Sequence, residues 1–137
     1  SQLSQLSKFI SKRNSIASYY MSYFKNNEKI KLPIEGKDIK HAYHLFPILL
    51  NLKKIKKTKS EIFTDLRKKN IFLQVHYIPV HMHSYYKKKY GFFNEQFPNA
   101  YKFSQGVISL PLYPLLTRKE LLYIVDVLKK LWLEFRA

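Results

Sequence analysis

The sequence predicts an α+β fold in which helices cover a small, mainly antiparallel sheet. Two observations lead to this prediction. Apolar residues recur at helical spacing near both ends of the chain, and three short segments rich in β-forming residues lie between them. The 137 residues fit one domain of this kind. The predicted order is helix, strand, helix, strand, short helices, strand and helix.

The first predicted element is a long helix that begins at residue 3. Its apolar residues recur at steps of three and four, which places them on one face of a helix of about six turns. A stripe of this length needs another surface to cover it. A loop containing Pro33 and Gly36 follows. The stripe comprises Leu3, Leu6, Phe9, Ile10, Ile16, Ala17, Tyr20, Met21 and Phe24.

Three segments are predicted to be strands. Residues 41–52 are rich in β-forming and aromatic side chains, and Pro47 favours an edge or a bulge there because proline has no N–H to donate. Residues 71–77 alternate between two faces, as a strand requires. Residues 107–114 lead into a turn limited by prolines. One face of the second segment comprises Ile71, Leu73 and Val75.

Two further helices are predicted from capping signals. Thr58 and Glu61 have the spacing of a capping box, which predicts a short helix ending near Lys69 with Asn70 as its C-terminal cap. The same signature recurs at 117–120, ahead of a closing amphipathic helix. The stripe of that last helix comprises Leu121, Ile124, Val125, Leu128, Leu131, Trp132 and Phe135.

Glycine and proline mark the limits of two short helices between the second and third predicted strands. An aromatic helix is expected to end at Gly91, because glycine readily terminates helices. A second helix is expected to begin at Pro98 and to end at Gly106.

The composition limits the possible functions. The chain carries 25 Lys and Arg against 9 Asp and Glu, a net charge of +16, but the lysines are spread out. Charge alone supports only sequence-independent contact with phosphates, so a solvated basic surface is favoured over specific nucleic-acid binding. The absence of cysteine excludes disulfides and thiolate metal sites. No apolar run approaches the roughly 20 residues that span a bilayer, so we expect a cytoplasmic protein with no membrane segment.

The segment 74–92 concentrates the residues that can carry chemistry, with three histidines and four tyrosines in "QVHYIPVHMHSYYKKKYGF". A metal site is disfavoured because no acidic residue lies between Asp65 and Glu95. A nucleophilic site is disfavoured because there is no cysteine and no serine lies in a recognisable nucleophile motif. Imidazoles, phenols and lysines together suit a ligand with hydroxyl groups and phosphate, such as a nucleotide sugar.

Within this segment His76, Tyr77 and His81 are the candidate substrate-binding residues. Pro79 stiffens the turn where the predicted strand ends, and binding residues gather on loops that a rigid scaffold holds. The later tyrosines at 85, 86 and 90 are expected to pack a helix.

Several stretches, in order along the chain, resemble the C-terminal part of the DegT/DnrJ/EryC1/StrS aminotransferases, which act on nucleotide-linked keto-sugars. They are "LSQLSKFISKRNSIASYY", "HAYHLFPI", "LRKKNIFLQVHYIPVHMHSYYKKKYGF" and "FPNAYKFSQGVISLPLYPLLTRKE". Within the family, the chain looks most like the members that serve pseudaminic acid synthesis by aminating the 4-keto carbon of a UDP-linked sugar. The resemblance covers nearly all of the chain.

The resemblance implies the small C-terminal domain of the type I aminotransferase fold, which depends on pyridoxal phosphate. Residues 1–27 would form the long helix between domains and residues 28–137 the small domain. The large cofactor-binding domain, with its Schiff-base lysine and ring-stacking aromatic residue, is absent from these residues. No catalytic, cofactor-binding or metal-binding residue is therefore carried over.

Three motif matches can be carried over residue by residue. His76, Tyr77 and His81 match the family's "HY-x-P-x-H" segment, which lines the sugar-nucleotide side of the cleft. Ser109 belongs to the "SLP" strand and is expected to be structural, and His44 is expected to pack in the core.

The predicted function is the substrate-side domain of an aminotransferase that aminates a UDP-linked 4-keto-6-deoxy amino sugar, with glutamate as nitrogen donor. Pyridoxal phosphate is not expected to bind this chain alone, which is predicted to be inactive. The stripe over residues 3–24 predicts self-association or pairing with a large domain. The alternatives are a non-catalytic remnant, or a basic module that binds nucleic acid or an acidic partner.

Overall fold

The computed structural model describes residues 2–74 and 76–134, and it confirms the predicted α+β architecture with a long N-terminal helix. Within these residues a three-stranded antiparallel sheet has the order β1-β2-β3. The strands are β1 (Ile30–Lys31), β2 (Phe46–Leu50) and β3 (Val107–Leu110). The α-helices are α1 (Leu6–Phe24), α2 (Lys59–Lys68), α3 (Ser84–Tyr90), α4 (Pro98–Gly106) and α5 (Arg118–Glu134), and 3-10 turns cover Gln2–Gln5, Val80–Met82 and Asn94–Gln96.

The predicted strand over residues 71–77 is wrong, since the described part of this segment pairs only through an isolated bridge between Gln74 and Ser109. The neighbouring donors on β3 explain why the ladder stops there. In this register Pro111 would face residue 72, and it has no N–H. At the other end the N–H of Val107 already bonds the carbonyl of Phe103 at the end of α4. Val75 lies outside the described residues.

The remaining strand is β1, which lies between the end of the predicted first helix and the predicted loop. Two residues are too few to show a period of two, so the pattern of side chains gave no sign of this strand. Its partners are Ile30 with Leu50 and Lys31 with Leu49.

Pro47 lies in the middle strand of the three, although the sequence favoured an edge or a bulge. Ser109 pairs with Pro47 across the sheet, but both backbone groups of Ser109 bond Gln74 on the other side. The pair is therefore of the non-hydrogen-bonded type, and the missing N–H faces the side where the described pairing of β1 ends at Lys31. Locally the proline has an edge position after all.

Half of the predicted N-terminal stripe is covered by the chain itself, so the expectation that the whole stripe lies open is wrong. Ile16, Ala17, Tyr20 and Phe24 are buried in a core shared with the sheet, α2 and α5. The first turns remain open, and Leu3 is 79% exposed. Burial of the second half favours the folded domain by roughly 1.5–3 kcal/mol for each large apolar side chain.

Two other expectations about the core have different outcomes. His44 is exposed, and its neighbour Tyr43 takes the buried position with a φ of 44°, so the predicted packing role of His44 is wrong. The stripe of α5 is buried from Leu121 to Leu131. The side chain of Trp132 and all of Phe135 lie outside the described residues.

The predicted caps are confirmed. The hydroxyl of Thr58 accepts a hydrogen bond from the N–H of Glu61 at 3.3 Å, and the N–H of Thr58 donates to the carboxylate of Glu61 at 2.7 Å. Thr117 and Glu120 make the same reciprocal pair ahead of α5. The chain leaves α3 through Gly91, whose φ of 67° suits glycine. Among the described helices none is long and apolar enough to cross a membrane.

Candidate functional site

The backbone on either side of His76 is tied to the last strand of the sheet. Gln74 and Ser109 exchange both backbone hydrogen bonds, each at 3.3 Å. Two residues further on, Nε2 of the His76 imidazole lies 2.8 Å from the Oγ of Ser109. Ser109 is only 1% exposed, so a hydroxyl inside the sheet anchors a half-buried ring at its margin.

The surroundings of His76 disfavour the charged form of its ring. Burial lowers the pKa of His76 because it removes water from the charged form, and the ammonium of Lys59 lowers this pKa further. The pKa of Lys59 is itself lowered by burial, and its Nζ donates to the carbonyl of Ser104 at 3.0 Å. A neutral imidazole offers one donor and one acceptor. Nε2 uses one of these with Ser109, and within the described residues Nδ1 makes no hydrogen bond.

Tyr77 is 98% exposed and makes no ring contact within the described part of the chain. Its neighbours Ile78 and Val80 are each 60% exposed, so this stretch presents several apolar side chains to its surroundings. Pro79 then begins the 3-10 turn, and the ring of His83 is within 3.1 Å of the carbonyl of Ile78. The segment after His76 is therefore held by its backbone, while Tyr77 is free for an external contact.

His81 lies in a different environment from His76. It is only 5% exposed, and its ring stacks on Phe97 with centroids 4.7 Å apart. Phe92 meets Phe97 edge-on at 5.2 Å and closes the aromatic group. Nε2 of His81 is buried and has no hydrogen-bond partner among the described residues. Leaving such an atom unpaired costs free energy.

Two clefts of the described chain lie away from the three candidate residues. A cleft of about 440 Å³ lies between the end of β2 and the end of α4, and one of about 260 Å³ lies along α2. Neither is lined by His76, Tyr77 or His81. His76 and Tyr77 lie at the surface of the described chain, whereas His81 is buried.

The sequence analysis did not foresee the interactions of two residues with His76. Lys59 stands directly after the Thr58 cap, and nothing in its sequence context distinguishes it from other lysines. Ser109 did carry a signal, because it is the polar residue in the otherwise apolar strand "VISL". A hydroxyl buried in such a strand needs a hydrogen-bond partner, and His76 supplies it.

The described residues do not fit a pyridoxal phosphate site. Such a site needs a desolvated lysine that is free to attack the cofactor, a group for the pyridine nitrogen and a phosphate cradle. Lys59 is partly desolvated, but its Nζ is engaged by Ser104. The part of the chain that the structure describes also contains no group of three or more His, Cys, Asp or Glu able to hold a metal ion.

Comparison with known proteins gives a consistent family match. The profile of the DegT/DnrJ/EryC1/StrS aminotransferase family matches residues 1–129. The spore coat polysaccharide biosynthesis protein SpsC of Bacillus subtilis is 34% identical over 129 residues, which cover 93% of this chain and 33% of SpsC. The UDP-4-amino-4,6-dideoxy-N-acetyl-beta-L-altrosamine transaminase of Campylobacter jejuni is 34% identical over 128 residues, again 93% of this chain and 33% of the relative.

Solved structures agree with the sequence matches. Helicobacter pylori PseC, an aminotransferase involved in the biosynthesis of pseudoaminic acid, superposes with a TM-score of 0.87 at 28% identity, over 98% of this chain and 35% of PseC. S. venezuelae DesV, solved in complex with a ketimine intermediate, superposes with a TM-score of 0.84 at 26% identity, over 95% of this chain and 33% of DesV. The chain spans about a third of the length of the curated relatives it matches.

Proposed function

This chain belongs to the DegT/DnrJ/EryC1/StrS aminotransferase family, and we propose that it forms the substrate-side small domain of an aminotransferase that makes an amino sugar on a nucleotide carrier. The observation that carries the proposal is the anchored, neutral ring of His76, whose Nδ1 is left without a partner among the described residues. Chemistry at the sugar carbon would depend on pyridoxal phosphate held by residues outside this chain.

The proposed substrate is a UDP-linked 4-keto-6-deoxy amino sugar, and the proposed nitrogen donor is glutamate. The printed activity of the Campylobacter jejuni relative supports the UDP-linked sugar. A neutral imidazole also suits this class of ligand, because it can hydrogen-bond a hydroxyl or a phosphate oxygen without carrying a charge of its own. Lys59 next to His76 adds the positive potential that a diphosphate requires.

Each candidate residue has a distinct proposed role. His76 orients the ligand through Nδ1, and the exposed ring of Tyr77 covers an apolar face of it. His81 supplies the unpaired Nε2 once Phe97 moves aside, because Phe97 now covers the His81 ring. None of these residues forms a covalent bond to the substrate. Their work is to bind and orient it and to exclude water.

The proposed domain organisation follows from the same arrangement. Residues 1–27 would connect a large cofactor-binding domain to the small domain over residues 28–137. The buried half of α1 anchors the helix in the small domain through Ile16, Tyr20 and Phe24. The open turns around Leu3 and Leu6, 79% and 46% exposed, remain for the large domain or for a second copy.

The test uses the complete gene product that contains these residues, loaded with pyridoxal phosphate. We expect it to convert a UDP-linked 4-keto sugar and glutamate into an amino sugar, detected by mass spectrometry. His76→Ala should raise KM for the sugar nucleotide about tenfold, equivalent to about 1.4 kcal/mol. His44→Ala is the matched control, because His44 is exposed and remote in sequence from the candidate residues. Turnover by the 137-residue chain alone, or an unchanged KM in His76→Ala, would contradict the proposal.

A second candidate function is binding of a polyanion through α3. Lys87, Lys88 and Lys89 are exposed on this helix, and Nζ of Lys89 lies 5.3 Å from the ring centre of Tyr85 and 5.4 Å from that of Tyr90. Lysines next to open aromatic rings suit phosphates and stacked bases. Affinity for single-stranded nucleic acid that falls steeply with salt, without preference among bases, would favour this function. A non-catalytic remnant would show neither property.

A further inference from the structure

Ser109 contacts His76 through a specific hydrogen bond as well as through packing. Its side chain is fully buried in β3, and its Oγ has a single hydrogen-bond partner within the described residues, Nε2 of His76 at 2.8 Å. The backbone of Ser109 is fixed as well, through both hydrogen bonds to Gln74. Neither the hydroxyl nor the imidazole segment can shift without breaking this set of bonds.

The direction of the Ser109–His76 hydrogen bond follows from the donors that need partners. A serine hydroxyl has one proton to donate and lone pairs that tolerate being unused. A buried donor left without an acceptor is the costlier arrangement and is rare in folded proteins. Because Nε2 is the one acceptor beside the Ser109 hydroxyl among the described residues, the hydroxyl donates and Nε2 accepts. Nε2 therefore carries no hydrogen.

The proton of the neutral ring must then be on Nδ1. We propose that Ser109 is a positioning residue, which fixes the Nδ1–H tautomer of His76 and so makes this imidazole a hydrogen-bond donor toward the ligand. The fitting ligand atom is an acceptor oxygen, such as a phosphate or carbonyl oxygen of a nucleotide sugar. This last statement rests on the proposed function, whereas the tautomer does not.

The charge environment agrees with a donor that is neutral. A second proton on His76 would turn Nε2 into a donor facing the Ser109 hydroxyl, and the hydroxyl would then lose its acceptor. The ammonium of Lys59 opposes that second proton too. A neutral imidazole with hydrogen on Nδ1 can donate to an anionic ligand oxygen. Lys59 then supplies the single positive charge of the His76–Lys59 pair.

The decisive measurement is the tautomer of His76 in the unaltered protein. Long-range nitrogen–proton correlation spectra distinguish the two ring nitrogens, since the one that carries hydrogen resonates far from the one that does not. At pH 7.5 we expect hydrogen on Nδ1 of His76, while the exposed ring of His44 serves as an internal reference. Hydrogen on Nε2 of His76 would overturn the inference without any variant.

Variants of Ser109 separate positioning from packing. Ser109→Ala should shift His76 toward the Nε2–H tautomer and raise its pKa, because the donor to Nε2 is gone. Ser109→Thr keeps the hydroxyl, and strands readily accept the β-branched threonine side chain. This variant should therefore retain the Nδ1–H tautomer. A His76 tautomer that is identical in Ser109→Ala and in the unaltered protein would show that the hydroxyl only packs.

The complete enzyme provides the functional readout. Ser109→Ala should raise KM for the sugar nucleotide about tenfold, with kcat within about twofold, and Ser109→Thr should recover most of the affinity. An equal loss of kcat and of folded protein would instead indicate a structural role. If His76 has the Nδ1–H tautomer but no sugar nucleotide binds, the proposed function fails and the positioning role of Ser109 stands.

Discussion

The hydroxyl of Tyr20 donates a hydrogen bond to the carbonyl oxygen of Pro111 at 2.9 Å, across 91 positions of the sequence. Tyr20 is fully buried near the C-terminal end of α1, and Pro111 directly follows β3. Burial raises the pKa of the Tyr20 phenol, with a further contribution from Tyr113, so the hydroxyl keeps its proton at every physiological pH. One polar contact thus links the long helix to the strand that carries Ser109.

Tyr20→Phe should lower the free energy of unfolding by about 0.5–1.5 kcal/mol, the net contribution of a typical hydrogen bond. The ring keeps its packing on Phe46, whose centroid is 5.1 Å away, so no cavity forms. Urea denaturation followed by circular dichroism measures the change. The control is Tyr23→Phe on the same helix, because Tyr23 is 41% exposed and should be neutral. Equal effects at both positions would contradict this assignment.

Thr58→Ala should cost about 1 kcal/mol of stability, because it removes the side chain that caps the N–H of Glu61. Thr64→Ala on the same helix is the matched control. The hydroxyl of Thr64 bonds the carbonyl of Ser60 within the helix, an interaction that adds little. Thermal unfolding of both variants tests the difference, and a larger loss in Thr64→Ala would disprove the capping role.

Gly106→Ala should destabilise the protein by about 1–3 kcal/mol, a cost typical of overpacking. A Cβ at this position would lie 2.8 Å from the backbone carbonyl oxygen of Leu50, which the sheet holds in place. Gly36→Ala offers a contrast, since the nearest atoms to its Cβ all belong to the flexible Ile39 side chain, with Cδ1 at 2.8 Å and Cγ1 at 3.2 Å. The denaturant concentration at the midpoint of unfolding should fall in Gly106→Ala and should barely change in Gly36→Ala.

His81→Phe should leave stability unchanged or raise it by up to about 1 kcal/mol, because the ring can still stack on Phe97 and the unpaired Nε2 disappears. The same change should weaken binding of the sugar nucleotide in the complete enzyme. Calorimetric unfolding should therefore show unchanged or higher stability, while a higher KM shows weaker binding. A loss of more than about 2 kcal/mol would mean that Nε2 has a structural partner.

The pH dependence of stability should carry the signature of His76. Its folded pKa is lowered from the ordinary histidine value of about 6.5, first by burial and then by Lys59. As the pH falls below 6.5 the unfolded chain binds a proton before the folded chain does, so stability declines until the folded pKa is passed. Well above pH 6.5 the His76 side chain does not make stability depend on pH.

Lys59→Met should raise the pKa of His76 toward 6.5 without reaching it, because burial remains. Nuclear magnetic resonance titration of the ring measures the shift. Lys68→Met is the control on the same helix, since it removes an equal charge from an exposed position. A His76 pKa that responds equally to both changes would place Lys59 too far away to act on the ring.

Much of the fold could be predicted because its signals are local. Thr58 with Glu61, and Pro98 with Gly106, mark helix limits within a few residues of themselves. The error over 71–77 has the opposite cause. Its alternation was real, since Ile71 is buried and Phe72 is 62% exposed, but strand pairing depended on donors some 35 positions away.

The sequence could predict which residues belong to the candidate site but not how they are arranged. The motif indicated His76 and His81, but their environments differ for reasons that no spacing reveals. The contact of His76 with Ser109 depends on the register of one isolated bridge. The cover of Phe97 over His81 depends on a 3-10 turn that precedes α4. Both are tertiary facts rather than properties of a sequence window.

Pro47 has a consequence for how copies of this protein can meet. An open strand normally offers rows of N–H and carbonyl groups that recruit a strand from a neighbouring molecule, the first step of fibril growth. Beyond Lys31 the flank of β2 that faces away from β3 carries Pro47, which has no N–H to offer there. A strand added along this flank from a neighbouring molecule would therefore lack one of its ladder hydrogen bonds.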